Sequence, residues 1–319
     1  MKAAVVTDFS QPPRCADFPE PAAPSGGELV VDVLAAGLHR RVRSQADGSH
    51  YTSTGTLPMV PGVDGVGRDA EGRLRYFVLD EPVLGAMAER TVIDARRSVV
   101  LPAGADPVAV AAAVNPVMSS WLALRARAAF QPGQSVLIIG ATGSAGRMAV
   151  QVARHLGAGR VVVAGRNSER LARAVQAGAQ ASISLLGTDD EIAAAVAREA
   201  ADVDVVLDYV WGPLTAVAMT ALVTARPDRS RPLTWVEIGS VGGASAAIPS
   251  AALRQARLTL VGSGQGSVGV REILGELPAM IDAVSSGAFA IDAVRVPLAD
   301  VERAFVDPAL ADARVVIVP

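Results

Sequence analysis

The chain has 319 residues, with 29 Lys and Arg against 32 Asp and Glu and a formal net charge of −3. That length can hold two domains with sizeable cores, and that charge gives no electrostatic case for binding nucleic acid or an anionic membrane. A single cysteine, Cys15, excludes an internal disulfide and any thiolate cluster.

The opening run, Met1-Lys-Ala-Ala-Val-Val, reads as a strand and lacks the long apolar stretch of a signal peptide, so a cytoplasmic location is expected. Residues 1–7, 28–36, 73–79, 86–93 and 98–101 read as strands around a Gly/Pro-rich segment, 55–67. The many turns suit a β-rich, barrel-like domain. From residue 109 helix and strand patterns alternate. A helix over 109–129 is expected to break at Asn115-Pro116, and that break leaves the apolar stretch 108–118 too short to cross a bilayer. Strands follow at 135–139, 160–164, 181–185, 203–207, 233–238 and 258–261, with helices at 146–156, 168–176, 189–200 and 213–224 between them. The tail holds a helix over 270–285, a strand over 294–297, a helix over 298–306 and a strand over 313–318. The fold class is α/β, a doubly wound parallel sheet inserted into a β-rich domain. The division reads 1–115, 116–269 and a returning tail, 270–319.

The most informative stretch joins the strand ending at Ile139 to the next helix: Gly140-Ala-Thr-Gly143-Ser-Ala-Gly146. Glycine lets a backbone approach a pyrophosphate closely, and a helix N-terminus offers unpaired N–H donors and a favourable dipole. The second strand ends in Gly165-Arg166-Asn167-Ser168-Glu169-Arg170. An NAD site has an acid there to hold the ribose; here Arg166 stands at or beside that position, with Arg170 one helical turn on. A guanidinium matches a 2′-phosphate with charge-assisted bonds, so the cofactor is read as NADPH.

With these motifs, the chain resembles the medium-chain dehydrogenase/reductase superfamily and, within it, the zinc-free quinone oxidoreductase branch that includes zeta-crystallin. The matching landmarks run nearly end to end: Leu57-Pro-Met-Val-Pro61-Gly-Val-Asp64-Gly-Val-Gly67, Gly85-Ala-Met-Ala-Glu-Arg90, Ser119-Ser-Trp-Leu-Ala-Leu124, the glycine turn, and Val205-Val-Leu-Asp208-Tyr-Val-Trp-Gly212. In that branch the turn usually reads Ala-Ala-Gly-Gly-Val-Gly, so Ser144 replaces a glycine. The resemblance implies a GroES-like first domain and a Rossmann domain. It places the cofactor against Ser119, Gly140, Thr142, Gly143, Ser144, Ala145, Gly146, Gly165, Arg166, Asn167, Arg170 and Tyr209. Loops carrying Gly239, Ser240, Gly264 and Gln265 would close over its nicotinamide half. It also implies a homodimer paired through the edge run 258–261, and a small-molecule quinone or enone as substrate. Atypical short-chain reductases and NmrA-like sensors carry a similar glycine motif, but at the start of their chains.

Zinc-dependent relatives place three ligands where this chain has His39, Val63 and Pro116. A catalytic zinc needs three protein ligands and an open position, so no metal is expected. For polarising a carbonyl without metal, the candidates are His39, where the branch commonly carries Asn, Tyr51, where it often places a cleft tyrosine, and Asn115. Each also has a structural reading: His39 as a loop brace, Asn115 as a helix-breaking turn. His50 and His155 read as solvated or structural, and Asp208 as a brace for neighbouring loops. Arg40, Arg41 and Arg43 fall in a segment, 39–57, read as loop; they are either solvated or suited to an anionic substrate. The implied activity is NADPH-dependent reduction of quinones or α,β-unsaturated carbonyl compounds by hydride transfer. A specialised biosynthetic reductase or cyclase, or a non-catalytic NADPH-binding regulator or crystallin-like protein, are the alternatives on the same fold.

Overall fold

A computed structural model describes residues 1–22, 26–79, 83–264, 266–311 and 313–319. The chain divides into two units, Met1–Asn115 with Leu277–Pro319, and Pro116–Glu276.

The first unit is built on strands. β1 (Lys2–Val5) pairs antiparallel with β2 (Arg14–Asp17), a short strand that the sequence reading did not contain. β3 (Glu28–Leu38) is the longest, and a register shift between Val33 and Ala35 lets it serve several partners. The segment read as loop after it contains a helix, α1 (Arg40–Ala46), that buries Val42 and Ala46. Then come β4 (Asp64–Arg68), β5 (Leu74–Val78), β6 (Arg90–Asp94) and β7 (Ser98–Val100). β3 pairs with β6 over its first half and β4 over its second, so a bulged central strand closes on both edges. Its core joins Val31, Val33, Phe77, Met87, Ile93 and Val315, all buried.

Helix α2 (Pro107–Leu122) continues through Asn115 and Pro116 and runs on as a π-helical turn, Ala123–Arg127. This corrects the expected break. A proline removes the donor that would satisfy the carbonyl four residues earlier, which here is that of Ala112. Arg314 Nε donates to that oxygen at 2.5 Å, so a distant side chain replaces the missing bond. The unbroken helix, 107–127, is long and apolar enough for a membrane span, contrary to the sequence reading. However, 72% of its apolar window is buried within the fold, as in a core helix.

The second unit alternates strand and helix: β8 (Ser135–Ile139), α3 (Ser144–His155), β9 (Arg160–Gly165), α4 (Ser168–Gln176), β10 (Ala181–Ser184), α5 (Asp189–Ala200), β11 (Val205–Asp208), α6 (Pro213–Ala225), β12 (Leu233–Glu237), α7 (Ser250–Gln255) and β13 (Leu258–Gly262). All six strands are parallel, in the order β10-β9-β8-β11-β12-β13. The order reverses direction between β8 and β11, the switch point beyond whose carboxyl ends such sheets bind ligands. β8 and β9 are continuous β-branched and leucine runs because helices cover both faces of a parallel sheet; their residues 136–139 and 161–165 are buried. α8 (Val270–Ser285) carries the chain back, and the division falls inside it at Leu277, not at residue 270 where the sequence reading placed it. β14 (Ala293–Pro297), α9 (Val301–Val306) and β15 (Arg314–Val318) complete the first unit. Its larger sheet runs β14-β15-β3-β4-β5-β7 with β6 beside β3.

Candidate active site

In the second unit, the turn between β8 and α3 has the shape that its glycines suggest. Gly140 adopts φ 90°, open to glycine but strained for other residues. A Cβ on Gly146 would lie 2.3 Å from the Gly140 carbonyl oxygen, so helix and turn approach too closely for any side chain. Gly143 caps α3 without a side-chain bond, and the first intrahelical donor is Arg147 N–H. The N–H groups of Ser144, Ala145 and Gly146 are left without partners among the described residues, at the positive end of the helix dipole. Ser144 occupies the first helical position, where its backbone N–H serves as well as a glycine's. Residues and geometry fit a dinucleotide pyrophosphate.

The end of β9 sorts the residues expected to hold the cofactor. A Cβ on Gly165 would meet Thr142 Cγ2 at 2.4 Å, so the glycine makes room for Thr142. Asn167 caps α4, its side chain accepting from Arg170 N–H at 2.9 Å. Arg170 Nη1 donates to the Thr142 carbonyl at 3.2 Å and so braces the glycine turn. Arg166 is exposed and has no hydrogen bond or ion pair among the described residues. Glu169 pairs with Arg173 one turn further along α4. Of the two arginines expected to meet the 2′-phosphate, the one without a partner among the described residues is therefore Arg166.

Asp208, at the end of β11, is fully buried. It accepts from Val210 N–H, Trp211 N–H, Thr215 Oγ1 and Trp235 Nε1, which fixes Trp211 in a left-handed conformation at φ 56°. Leaving either of the buried donors, Thr215 Oγ1 or Trp235 Nε1, unpaired would cost about 1–3 kcal/mol. Beyond the ends of these strands lies an open cleft of about 390 Å³ lined by Trp211, Glu237, Ser240, Ala244, Leu260, Val261 and Gly262. Burial, with the charge of Asp208, raises the Glu237 carboxyl above its ordinary value. Gly239 N–H is bonded to the Asp208 carbonyl and Gly264 N–H to Ser267 Oγ. Ser119 Oγ lies 3.4 Å from the Tyr209 hydroxyl, bringing two expected cofactor residues together, and burial pushes that phenol up to about 12. Gln265 lies outside the described residues.

In the first unit, His39 follows β3 and begins α1, its side chain only 7% exposed. Its Nε2 stands 2.9 Å from Asp64 Oδ1, and Tyr76 donates its hydroxyl to Asp64 Oδ2 at 2.8 Å. Asp64 begins β4, and Tyr76 on β5 pairs with Val66, so the two are diagonal neighbours on one face. Neither Asp64 nor Tyr76 was singled out from the sequence as a site residue; the signal for Asp64 was its place in Pro61-Gly-Val-Asp64. Tyr51 is 73% exposed with its ring against His50. Asn115 is half-buried in α2, helical throughout, and no hydrogen bond holds its side chain among the described residues. Arg43 donates to the carbonyls of Ala304 and Phe305, and Arg41 to Thr52. Among the described residues no group of three or more His, Cys, Asp or Glu could hold a metal ion.

A six-stranded parallel sheet with a glycine turn at its switch point, joined to a β-rich unit at both ends of the chain, defines a dinucleotide-dependent medium-chain dehydrogenase/reductase. A family profile described as zinc-binding dehydrogenase matches residues 145–286. A probable NADPH-dependent quinone reductase of Emericella nidulans is 32% identical over the whole of both chains. Quinone oxidoreductase-like protein 2 of Rattus norvegicus is 28% identical over 82% of this chain and 74% of its own. Among solved structures, the quinone oxidoreductase of Thermus thermophilus, also solved in complex with NADPH, is 28% identical and superposes over both whole chains with a TM-score of 0.82. The chain belongs to the quinone oxidoreductase type of this family.

Proposed function

We propose that the protein is an NADPH-dependent, metal-independent reductase of quinones or α,β-unsaturated carbonyl compounds. The observation that carries this reading is the open N-terminus of α3 over its glycine turn, with unpaired Arg166, and no acid, at the end of β9. Ser144, Ala145 and Gly146 hold the pyrophosphate through their N–H groups. Arg166 takes the 2′-phosphate, and the cleft at Trp211, Glu237 and Ser240 takes the nicotinamide half. NADPH, when bound, supplies the hydride; the protein orients the substrate and manages the proton that the reduced oxygen requires. His39 is the titratable group we assign to that proton, ahead of exposed Tyr51.

The test is NADPH oxidation, followed by nicotinamide absorbance, across simple quinones, enones and enals. Steady turnover with at least one class is expected. Tight NADPH binding without turnover on any of them would overturn the reductase reading in favour of a binding protein.

A further inference from the structure

Four adjacent strands of the first unit's larger sheet, β15, β3, β4 and β5, each bring one polar group to the same place. Arg314 opens β15, His39 follows β3, Asp64 opens β4 and Tyr76 lies on β5. Asp64 and Tyr76 are almost wholly buried, and Arg314 is 7% exposed. A buried ionic cluster is costly to desolvate, so its presence next to a site residue needs a reason.

We propose that Asp64 and Tyr76 are positioning residues for His39, holding its Nε2 proton on Asp64 so that Nδ1 is the nitrogen that passes a proton to the substrate oxygen. The proposal rests on the reductase reading above for the identity of that oxygen. A carboxylate only accepts, so Nε2 at 2.9 Å must be the donor. Tyr76 occupies the other carboxylate oxygen and keeps Asp64 from turning. Nδ1 has no hydrogen-bond partner among the described residues, and the His39 side chain keeps 7% of its surface exposed. In this tautomer the neutral ring can only accept at Nδ1. Donation requires the imidazolium. Its Nδ1–H bond then breaks as an O–H bond forms on the reduced quinone or enone. The two electrons would come from the hydride that NADPH supplies when bound, while the ring keeps its Nε2 proton and solvent returns a proton to Nδ1.

The groups facing His39 set when this works. Burial lowers its pKa, the hydrogen bond and charge of Asp64 oppose that, and the charges of Arg314 and Arg41 add to the lowering. Tyr76, pushed well up by burial and by Asp64, stays a neutral donor. Donation from the imidazolium should therefore weaken as pH rises through a value below the ordinary imidazole one.

With three histidines in the chain, nitrogen NMR of the ligand-free, histidine-labelled protein resolves the tautomer, His39 being assigned by its loss in His39→Gln. The parent should carry its proton on Nε2. In Asp64→Asn, Tyr76 keeps the amide oxygen, the amide nitrogen faces the ring, and the proton should move to Nδ1. That variant should lose about 10²-fold in kcat, together with the pH dependence assigned to His39, while NADPH affinity stays parental. A parental proton on Nδ1, or an unchanged pH profile and kcat in Asp64→Asn, overturns the proposal. Should Asp64→Asn fail to fold, Tyr76→Phe decides. Losing the phenol leaves Asp64 bonded to the ring alone, so the His39 pKa seen by NMR and the kinetic limb should both move up in pH. Absence of both shifts overturns the proposal. A parent that oxidises NADPH with no quinone or enone overturns the reductase reading and the catalytic role with it, whereas the tautomer is then judged by NMR alone.

Discussion

Arg166 and Arg170 look equivalent in the sequence, one turn apart and both able to reach a 2′-phosphate. The structure separates them, because Arg170 is engaged with the Thr142 carbonyl while Arg166 has no partner among the described residues. Arg166→Ala should therefore weaken NADPH by roughly tenfold to a hundredfold and leave NADH nearly unchanged, since a charged hydrogen-bonding contact is lost. Arg170→Ala should weaken both dinucleotides alike, through the turn. Dissociation constants for the two cofactors check this, and an equal loss of NADH in Arg166→Ala would refute the assignment. Asp69 gives a second residue-scale prediction. Its burial favours the neutral acid, but bonds from Arg75 and Arg73 and a backbone N–H overcome that and hold its pKa at about 2. A carboxylate depressed in the folded state binds fewer protons than in the unfolded chain, so its stabilisation is complete above the ordinary carboxylate range and fades as pH falls toward about 2. Urea midpoints across that window should fall more steeply in the parent than in Asp69→Asn; parallel profiles would refute it.

At the scale of elements, what the sequence reveals is what short-range chemistry decides. The strand, glycine turn and helix from Ser135 to His155 are legible because each glycine answers a neighbour a few residues away. Gly146→Ala sets a methyl against the Gly140 carbonyl, so it should cost about 1–3 kcal/mol of stability and most of the NADPH affinity. Calorimetry and a binding titration would show it; parental values in both would contradict the packing. α2 was misread for the opposite reason. Pro116 is a local break signal, yet the donor that repairs the Ala112 carbonyl comes from Arg314, 202 residues further along the chain. α1 was hidden in a segment with no strong period, and β2 in a short run whose strand partner, among the described residues, is β1 alone. Asp64 and Tyr76 could not be joined to His39 without the order of the strands, because their meeting depends on sheet register.

For the whole molecule, the proposed chemistry is expected to need no metal, since the resemblance places the zinc ligands of related enzymes where this chain holds Val63 and Pro116 beside His39. Chelation should leave NADPH oxidation unchanged, and stoichiometric zinc whose removal abolishes activity would contradict this. Assembly is a separate matter, and the two edges of the parallel sheet differ in a way that bears on it. β10 offers Ala-Ser-Ile-Ser with its serines exposed, a polar edge that solvent satisfies. β13 offers Leu-Thr-Leu-Val-Gly, pairs among the described residues only with β12, and leaves Leu260 37% exposed. A free apolar edge is a template for another strand. Its simplest closed solution is the same strand of a second copy, antiparallel about a two-fold axis, which would continue one sheet through both subunits. We therefore expect a homodimer paired through β13. Thr259→Pro should weaken it if that residue's N–H faces the partner, and Leu260→Lys should weaken it through charge repulsion across the axis. Light scattering at micromolar concentration should give twice the chain mass for the parent and a shift toward the monomer for Leu260→Lys. A monomeric parent, or a Leu260→Lys dimer as tight as the parent, would rule out this edge as the interface.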